Sequence, residues 1–294
     1  MAEKYIVIGT AAIAADIAQY LLKLGHDVSV WEKSYSGHSS VKSLCEARNI
    51  SYRSFCEDND ISSSLREILG REHLKLISAV NTYIFPKDIV DNDNFTGINY
   101  HNALLPAHRG MNAEAWSIYA CDKVTGITWH KIASDVDKGE LLCTREIPLN
   151  SEITSMRLLK LQAEAAYEAF LEIADDFIND KLVGSPQPQE KTDFHFIRDV
   201  PNGGRLDTEW NAEKISAFLR AMDYGILFTL GKPYVMIEGK KYTTGRYRLK
   251  KADAPYNEDE VIFDNNTLTI HKQGEFTEII ISGLKEAYTA AEMI

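Results

Sequence analysis

Asn99 and His101 stand two positions apart, and Asp137 follows His101 after 137 − 101 = 36 residues. An amide can hold a carbonyl oxygen, an imidazole can move a proton, and a carboxylate can orient the imidazole. On a strand, a spacing of two turns Asn99 and His101 to the same face. Each residue has a plainer reading alone. Polar side chains at the end of a buried strand often bond to backbone, and Asp137-Lys138-Gly139 has the composition of an ordinary turn. Pro106 and Arg109-Gly110 stiffen the loop after His101 and tip the three, taken together, towards an active site. His130, on a strand, reads as a packed histidine, His108 as a loop residue, His26 as a turn residue and His38 as solvent-exposed. Trp116, Trp129 and Trp210 read as core or interface aromatics.

The elements that must position these groups follow a clear order. Tyr5-Ile6-Val7-Ile8 is a short apolar strand ending at Gly9, followed by the helical spacing Ile13, Ile17, Leu21, Leu22 and a stop at Gly25. Val28–Trp31 reads as a second strand, and strand–helix–strand at this spacing opens a doubly wound parallel sheet. A helix near 40–48, a strand over 51–55, a helix near 62–70 and a strand over 76–80 continue it. The strand 97–101 then carries Asn99 and His101 to its C-terminal end, where such sheets bind ligands. Gly9 alone does not make a dinucleotide site, because alanines fill the turn that the fingerprint reserves for glycine. A helix is expected over 113–120, and strands over 126–132 and 140–146 flank the Asp137 turn. A long amphipathic helix is expected over 155–180, with Leu158, Leu161, Ala165, Ala169, Ile173 and Phe177 as its apolar stripe.

Composition changes at Gly184-Ser185-Pro186-Gln187-Pro188-Gln189-Glu190, which reads as a linker. Beyond a helix at 212–223, five strands are expected, over 234–238, 242–249, 260–263, 267–272 and 277–282, making a small barrel or sheet domain. The chain therefore divides into a catalytic domain over 1–183, a linker over 184–205 and a β-rich domain over 206–294.

The net charge of −11 disfavours a generic polyanion binder. Lys240, Lys241, Arg246, Arg248, Lys250 and Lys251 cluster around a hairpin and could meet phosphate, but the acidic run Glu258-Asp259-Glu260 balances them. No stretch approaches the roughly 18 apolar residues of a membrane helix, and no signal peptide is expected, because the N-terminal residues run directly into a strand. Cys45, Cys56, Cys121 and Cys143 are scattered, with no metal-ligand spacing, so reduced thiols in a cytoplasmic protein without a metal are expected.

The pattern of these residues resembles that of the formyltransferase family that uses 10-formyltetrahydrofolate, which includes methionyl-tRNA, glycinamide ribonucleotide and sugar N-formyltransferases. The family reads Asn-x-His-x-x-x-Leu-Pro-x-x-x-Gly, then Gly-x-Thr-x-His, then Asp-x-Gly. This sequence has Asn99, His101, Leu105-Pro106, Gly110, Gly126-Ile127-Thr128-Trp129-His130 and Asp137-Lys138-Gly139. The likeness runs from the first strand to about residue 180 and continues more loosely through Arg205-Leu206-Asp207 and Phe218-Leu219-Arg220-Ala221. Asn102-Ala103 departs from the small pair that many members carry.

The resemblance implies a Rossmann-like, doubly wound, mostly parallel α/β sheet with a smaller C-terminal OB-like domain. It implies Asn99, His101 and Asp137 as the catalytic set, and 10-formyltetrahydrofolate as co-substrate. The pterin is implied to lie against backbone of Tyr83, Ile84 and Phe85 and of the loop Ile132–Asp137, including Asp135 and Val136. Arg109, Gly110 and Asn112 are implied as substrate-binding positions. The stretch 109–116 and the helix 215–224 look most like the sugar enzymes, which implies a small amine acceptor, most simply a nucleotide-linked amino sugar. An amino acid, hydroxyornithine or carrier-bound peptide stays open, because 225–232 lacks the proline-rich run of the sugar enzymes. A tRNA acceptor is disfavoured: the basic insertion after the second strand is missing, and residues 206–294 hold 11 Lys and Arg against 14 Asp and Glu, a balance of 11 − 14 = −3. No nucleic-acid or membrane partner is expected. A homodimer stays open as a partner, and a folate-binding protein that keeps the fold without catalysis is the remaining alternative function.

Overall fold

The computed structural model describes residues 3–34, 39, 41–188 and 193–287. His38 and Ser40, the first two residues, and the linker positions Gln189 and Glu190 lie outside them. The chain forms two compact units. The first comprises Met1–Met111, Gly126–Ile147 and Lys160–Phe194; the second comprises Asn112–Thr125, Pro148–Leu159 and His195–Ile294.

The order of elements through the first sheet is β1 (Glu3–Gly9), α1 (Ala11–Lys23), β2 (Val28–Lys33), α2 (Lys42–Ala47), β3 (Ser51–Phe55), α3 (Asp58–Leu69), β4 (His73–Ala79), α4 (Lys87–Val90), β5 (Phe95–His101), the two-residue β6 (Arg109–Gly110), α5 (Ala113–Tyr119), β7 (Val124–Lys131), β8 (Leu141–Pro148) and α6 (Ser155–Ile178). The seven-stranded sheet runs β3-β2-β1-β4-β5-β7-β8. Strands β1 to β5 are parallel, and β7 meets β5 antiparallel.

Alternation along β1 explains the layering. Tyr5 and Val7 enter a core with Ile13, Ile17 and Leu21 of α1 and Ala166, Phe170 and Phe177 of α6. Ile6 and Ile8 face the other way, onto Ile61, Leu65 and Leu69 of α3. A sheet buried on both faces needs continuous apolar strands covered by helices on each side. Gly9 belongs to this packing, since a Cβ there would lie 1.8 Å from the Ala79 carbonyl oxygen.

Three expectations are adjusted. Helix α3 begins four residues before Ser62, at Asp58. Asp58 and Asp60 favour its positive N-terminal end, and Ser62 bonds back to the Asp58 carbonyl inside the helix. Leu161 lies outside the buried stripe of α6, whose inward side is Leu158, Gln162, Ala166, Ala169, Phe170, Ala174 and Phe177. The strand expected over 242–249 is two strands.

In the second unit, β9 (Phe194–His195) and β10 (Arg205–Leu206) precede α7 (Ala212–Ala221). Next come β11 (Tyr234–Ile237), β12 (Lys240–Thr243), β13 (Arg246–Lys251), β14 (Glu260–Asp264), β15 (Thr267–His271), β16 (Thr277–Ser282) and β17 (Lys285–Glu286). Strands β10 to β17 form two four-stranded sheets, β10-β11-β12-β17 and β13-β16-β15-β14. The break between β12 and β13 falls at Gly245, where a Cβ would lie 2.3 Å from the Ser282 carbonyl oxygen. Inside this unit the buried Glu114 receives the Tyr224 hydroxyl, and Trp116 stacks on His195 at 4.1 Å. Among the described residues no helix is long and apolar enough to cross a membrane.

Candidate active site

The pairing of β5 with β7 builds the site. Its register sets Asn99 opposite His130 and His101 opposite Thr128. Facing residues in an antiparallel pair share a side of the sheet and touch. The Asn99 Nδ2 lies 2.9 Å from His130 Nε2. His130 Nδ1 lies 2.8 Å from the Lys131 carbonyl oxygen, so Nδ1 carries a hydrogen and Nε2 accepts from the Asn99 amide. The second Nδ2 hydrogen of Asn99 has no partner among the described residues.

Thr128 pins the loop that leaves β5. Its hydroxyl donates to the Ala103 carbonyl at 2.7 Å and accepts from the Leu105 amide at 3.0 Å. Gly126 lets β7 approach its neighbour, since a Cβ there would lie 1.9 Å from the Arg145 carbonyl oxygen.

Asp137 closes the cluster. It sits at φ 54°, a left-handed conformation that aspartate tolerates better than most residues. Gly139 brings the Asp137 turn against β7, because a Cβ there would lie 1.7 Å from the Lys131 carbonyl oxygen. The turn glycine thus answers a close approach of backbone as well as turn geometry. One Asp137 oxygen, Oδ2, lies 3.5 Å from His101 Nδ1 and accepts the Gly110 N–H at 2.8 Å. The other, Oδ1, lies 3.4 Å from His130 Nε2.

His101 and Asp137 are both buried, and electrostatics follow from that. Burial raises the Asp137 carboxyl, but its neighbours, His101 foremost and with it the Gly110 N–H, outweigh it and hold the group at about 2. Asp137 is therefore ionised at neutral pH. Burial pushes His101 below the ordinary histidine range, with Asp137 pulling the other way. The His101 Nε2 hydrogen is engaged by the His108 carbonyl at 3.0 Å. That leaves Nδ1, the nitrogen facing Asp137, as the one that can gain or lose a proton.

Asn99, His101 and Asp137 thus converge through His130. His130 is packed, as its strand position suggests, but it links two members of the trio, which a single histidine on a strand does not reveal. Its signal was the register partner of Asn99. Arg109 and Gly110 also meet here: Arg109 Nε donates to the Asp137 carbonyl at 3.2 Å, beside the Gly110 contact. Asn112 belongs to the second unit, at φ 56° before α5.

In the turn after β4, the side chains of Tyr83 and Phe85 are buried while Ile84 is 65% exposed. Asn81 braces the turn through the Tyr83 amide and carbonyl. The backbones of Ile84, Phe85 and Val136 make no hydrogen bond to another described residue. Ile132 packs beside the core under this turn, and Asp135 is exposed and paired with Lys138. Among the described residues no group of three or more His, Cys, Asp or Glu side chains could hold a metal ion.

A mostly parallel sheet with an amide, two imidazoles and a carboxylate at the end of β5 can polarise a carbonyl and move a proton, which suits acyl transfer. The comparisons agree. Residues 38–174 match the family described as Formyl transferase. Methionyl-tRNA formyltransferase of Lactobacillus gasseri is 24% identical over 252 residues, covering 81% of this chain and 76% of that protein. GDP-perosamine N-formyltransferase of Brucella melitensis is 31% identical over 146 residues, 49% of this chain and 54% of that protein. The crystal structure of the N-formyltransferase from Helicobacter canadensis, in complex with folinic acid and dTDP-3-aminofucose, shares the fold. Its TM-score is 0.74 at 15% identity, covering 96% of this chain and 99% of that one. The chain is thus similar to formyltransferases, most directly over residues 38–174, and shares their fold.

Proposed function

We propose that this formyltransferase moves a formyl group from 10-formyltetrahydrofolate to the primary amine of a small acceptor, a nucleotide-linked amino sugar. The observation that carries the reading is the connected set Asn99–His130–Asp137–His101 at the C-terminal end of β5. The co-substrate supplies an activated formyl carbonyl. The unpartnered backbone of Ile84, Phe85 and Val136 suits the polar edge of a pterin, which needs donors and acceptors in a fixed line. Tyr83, Ile132 and Asp135 shape the same turn and loop.

The chain's own residues divide the work. Asn99, its amide held by His130, offers its remaining N–H to the oxygen on which negative charge develops. As the amine nitrogen bonds to the formyl carbon, His101 Nδ1 takes the proton it loses and ionised Asp137 stabilises the imidazolium. That proton then goes to N10 of the folate as the formyl C–N10 bond breaks, so tetrahydrofolate leaves and His101 is neutral again. Arg109 and Gly110 hold the Asp137 loop and border the acceptor side, with Asn112 following them in the chain. The division into 1–183, 184–205 and 206–294 is kept as part of this proposal.

The acceptor rests on the likeness to the GDP-perosamine enzyme and to the Helicobacter enzyme crystallised with an aminosugar nucleotide. A second reading, an amino-acid or carrier-bound amine, is favoured by one feature. The loop after α7 exposes Ile226, Leu227 and Phe228 where the sugar enzymes carry prolines, and Ile226 is 88% exposed.

The test is a folate-release assay with a panel of amines. Turnover with a nucleotide amino sugar, reduced about 10²–10³-fold in Asn99→Ala, supports the reading. Turnover with amino-acid or carrier amines alone transfers it to the second acceptor class. Folate binding without transfer to any amine would overturn it.

A further inference from the structure

Ser185-Pro186-Gln187-Pro188, which reads as linker in the sequence, is built onto the Asp137 loop. Ser185 pairs with Leu141 at the start of β8: the Leu141 amide donates to the Ser185 carbonyl at 2.7 Å, and the Ser185 amide returns a bond at 2.9 Å. Just before it, Gly184 lies so close that a Cβ would come 2.5 Å from Glu140 Cβ. The residue before a proline is confined to extended backbone, so Pro186 and Pro188 restrict both Ser185 and Gln187 before any contact forms.

The Gln187 amide is then fully used. Nε2 donates to the Asp137 carbonyl at 2.8 Å and to the Gly139 carbonyl at 2.8 Å. Oε1 accepts from Arg109 Nη2 at 2.6 Å. A guanidinium only donates and a carbonyl only accepts, so the amide has a single orientation that satisfies all three contacts. These contacts grip the backbone on both sides of Lys138, in the turn whose Asp137 holds left-handed φ. They do not touch the carboxylate itself.

We propose that Gln187 is a positioning residue for Asp137, and that Gly184–Pro188 is a clasp holding the Asp137 carboxylate against His101, His130 and the Gly110 N–H. The proposal rests on the functional reading above for its effect on rate, but not for its effect on geometry. An error of about 1 Å in a catalytic group can cost 10²-fold in rate, and Gln187 is the side chain that bonds the loop backbone on both sides of Lys138.

The test compares Gln187→Ala and Gln187→Glu with the unaltered protein in four measurements: hydrogen exchange of the Gly110 amide, ring ¹⁵N shifts of His101 and His130, kcat and KM for the acceptor, and Tm. In Gln187→Ala, Gly110 exchange should speed up tenfold or more and both imidazole signals should move. The kcat should fall about 10- to 100-fold with acceptor KM within a factor of about two, and Tm should stay within a few degrees. Gln187→Glu keeps an acceptor for Arg109 but loses both donors, and should fall at least as far. Normal Gly110 exchange and normal imidazole signals in Gln187→Ala overturn the proposal. So does a fall in kcat that only follows a fall in Tm, or a Gln187→Glu variant that behaves as the unaltered protein. An unaltered protein that formylates no amine defeats the functional reading instead, and the exchange and ¹⁵N measurements still decide the role of Gln187.

Discussion

Asp137 carries opposing forces in one side chain. Burial favours its neutral form, while the His101 imidazole and a backbone N–H favour its charge and prevail, holding it at about 2 against an ordinary 3.8. A carboxyl depressed on folding contributes stability that is complete above its unfolded value and is lost as pH falls towards its folded value. His101, depressed by burial, acts in the same sense in a higher window, because the unfolded chain takes its proton first as pH falls below about 6.5. Asp137→Asn should therefore flatten the acid side of the Tm-against-pH curve between pH 3.8 and about 2, removing on the order of 2 kcal/mol of pH-dependent stability. It should also lower kcat by 10² or more, as expected for loss of a group that stabilises a charged partner. An unchanged acid limb in the Asp137→Asn variant would show that the carboxylate is not held by its neighbours in solution.

At the scale of elements, the backbone approaches around β7 are as demanding as the side chains. Gly139→Ala would drive a methyl into the Lys131 carbonyl, so the turn must lift away and carry Asp137 with it. Overpacking of this kind costs about 1–3 kcal/mol. Activity should fall more steeply than stability, and kcat measured alongside a thermal melt checks the order. The sheets were legible where alternation and 3.6-residue spacing report burial: β16 begins and ends as expected around the buried Ile279 and Ile281, whereas β3 keeps its expected bounds with Phe55 as its one buried residue. Asn99, His101 and Asp137 were legible as types at a spacing. His130 was not, because its role depends on which residue faces it across two strands. Gln187 was hidden for the same reason, inside a proline-rich stretch whose composition usually marks a linker. Lys75 shows the limit at its plainest. A fully buried lysine in a central strand contradicts the apolar pattern, and only the fold reveals that its ammonium meets the last carbonyls of α6 together with Glu3 and Asp180.

Across the whole molecule, the charge of −11 sets what can approach it. A tRNA ligand would have to overcome that field, and proteins that grip nucleic acid lose affinity steeply with salt because phosphate contacts release counterions. Initiator tRNA should therefore neither shift on a native gel with this protein at about 0.15 M salt nor compete with a small amine in the folate-release assay. A tight, salt-sensitive complex would reverse that reading. The antiparallel seam of β5 and β7 has a wider consequence. Side chains on a strand alternate, so inserting one residue between Gly126 and Trp129 would present the Trp129 indole where the imidazole belongs. The excursion from 102 to 123, which carries α5 in the second unit, answers to no such parity. Its first part, as far as Gly110, is tied to Thr128 and the Asp137 loop. Descendants of this chain can therefore change length only beyond Gly110, whereas the seam admits changes of letter but not of count; new acceptors should be sought beyond Gly110.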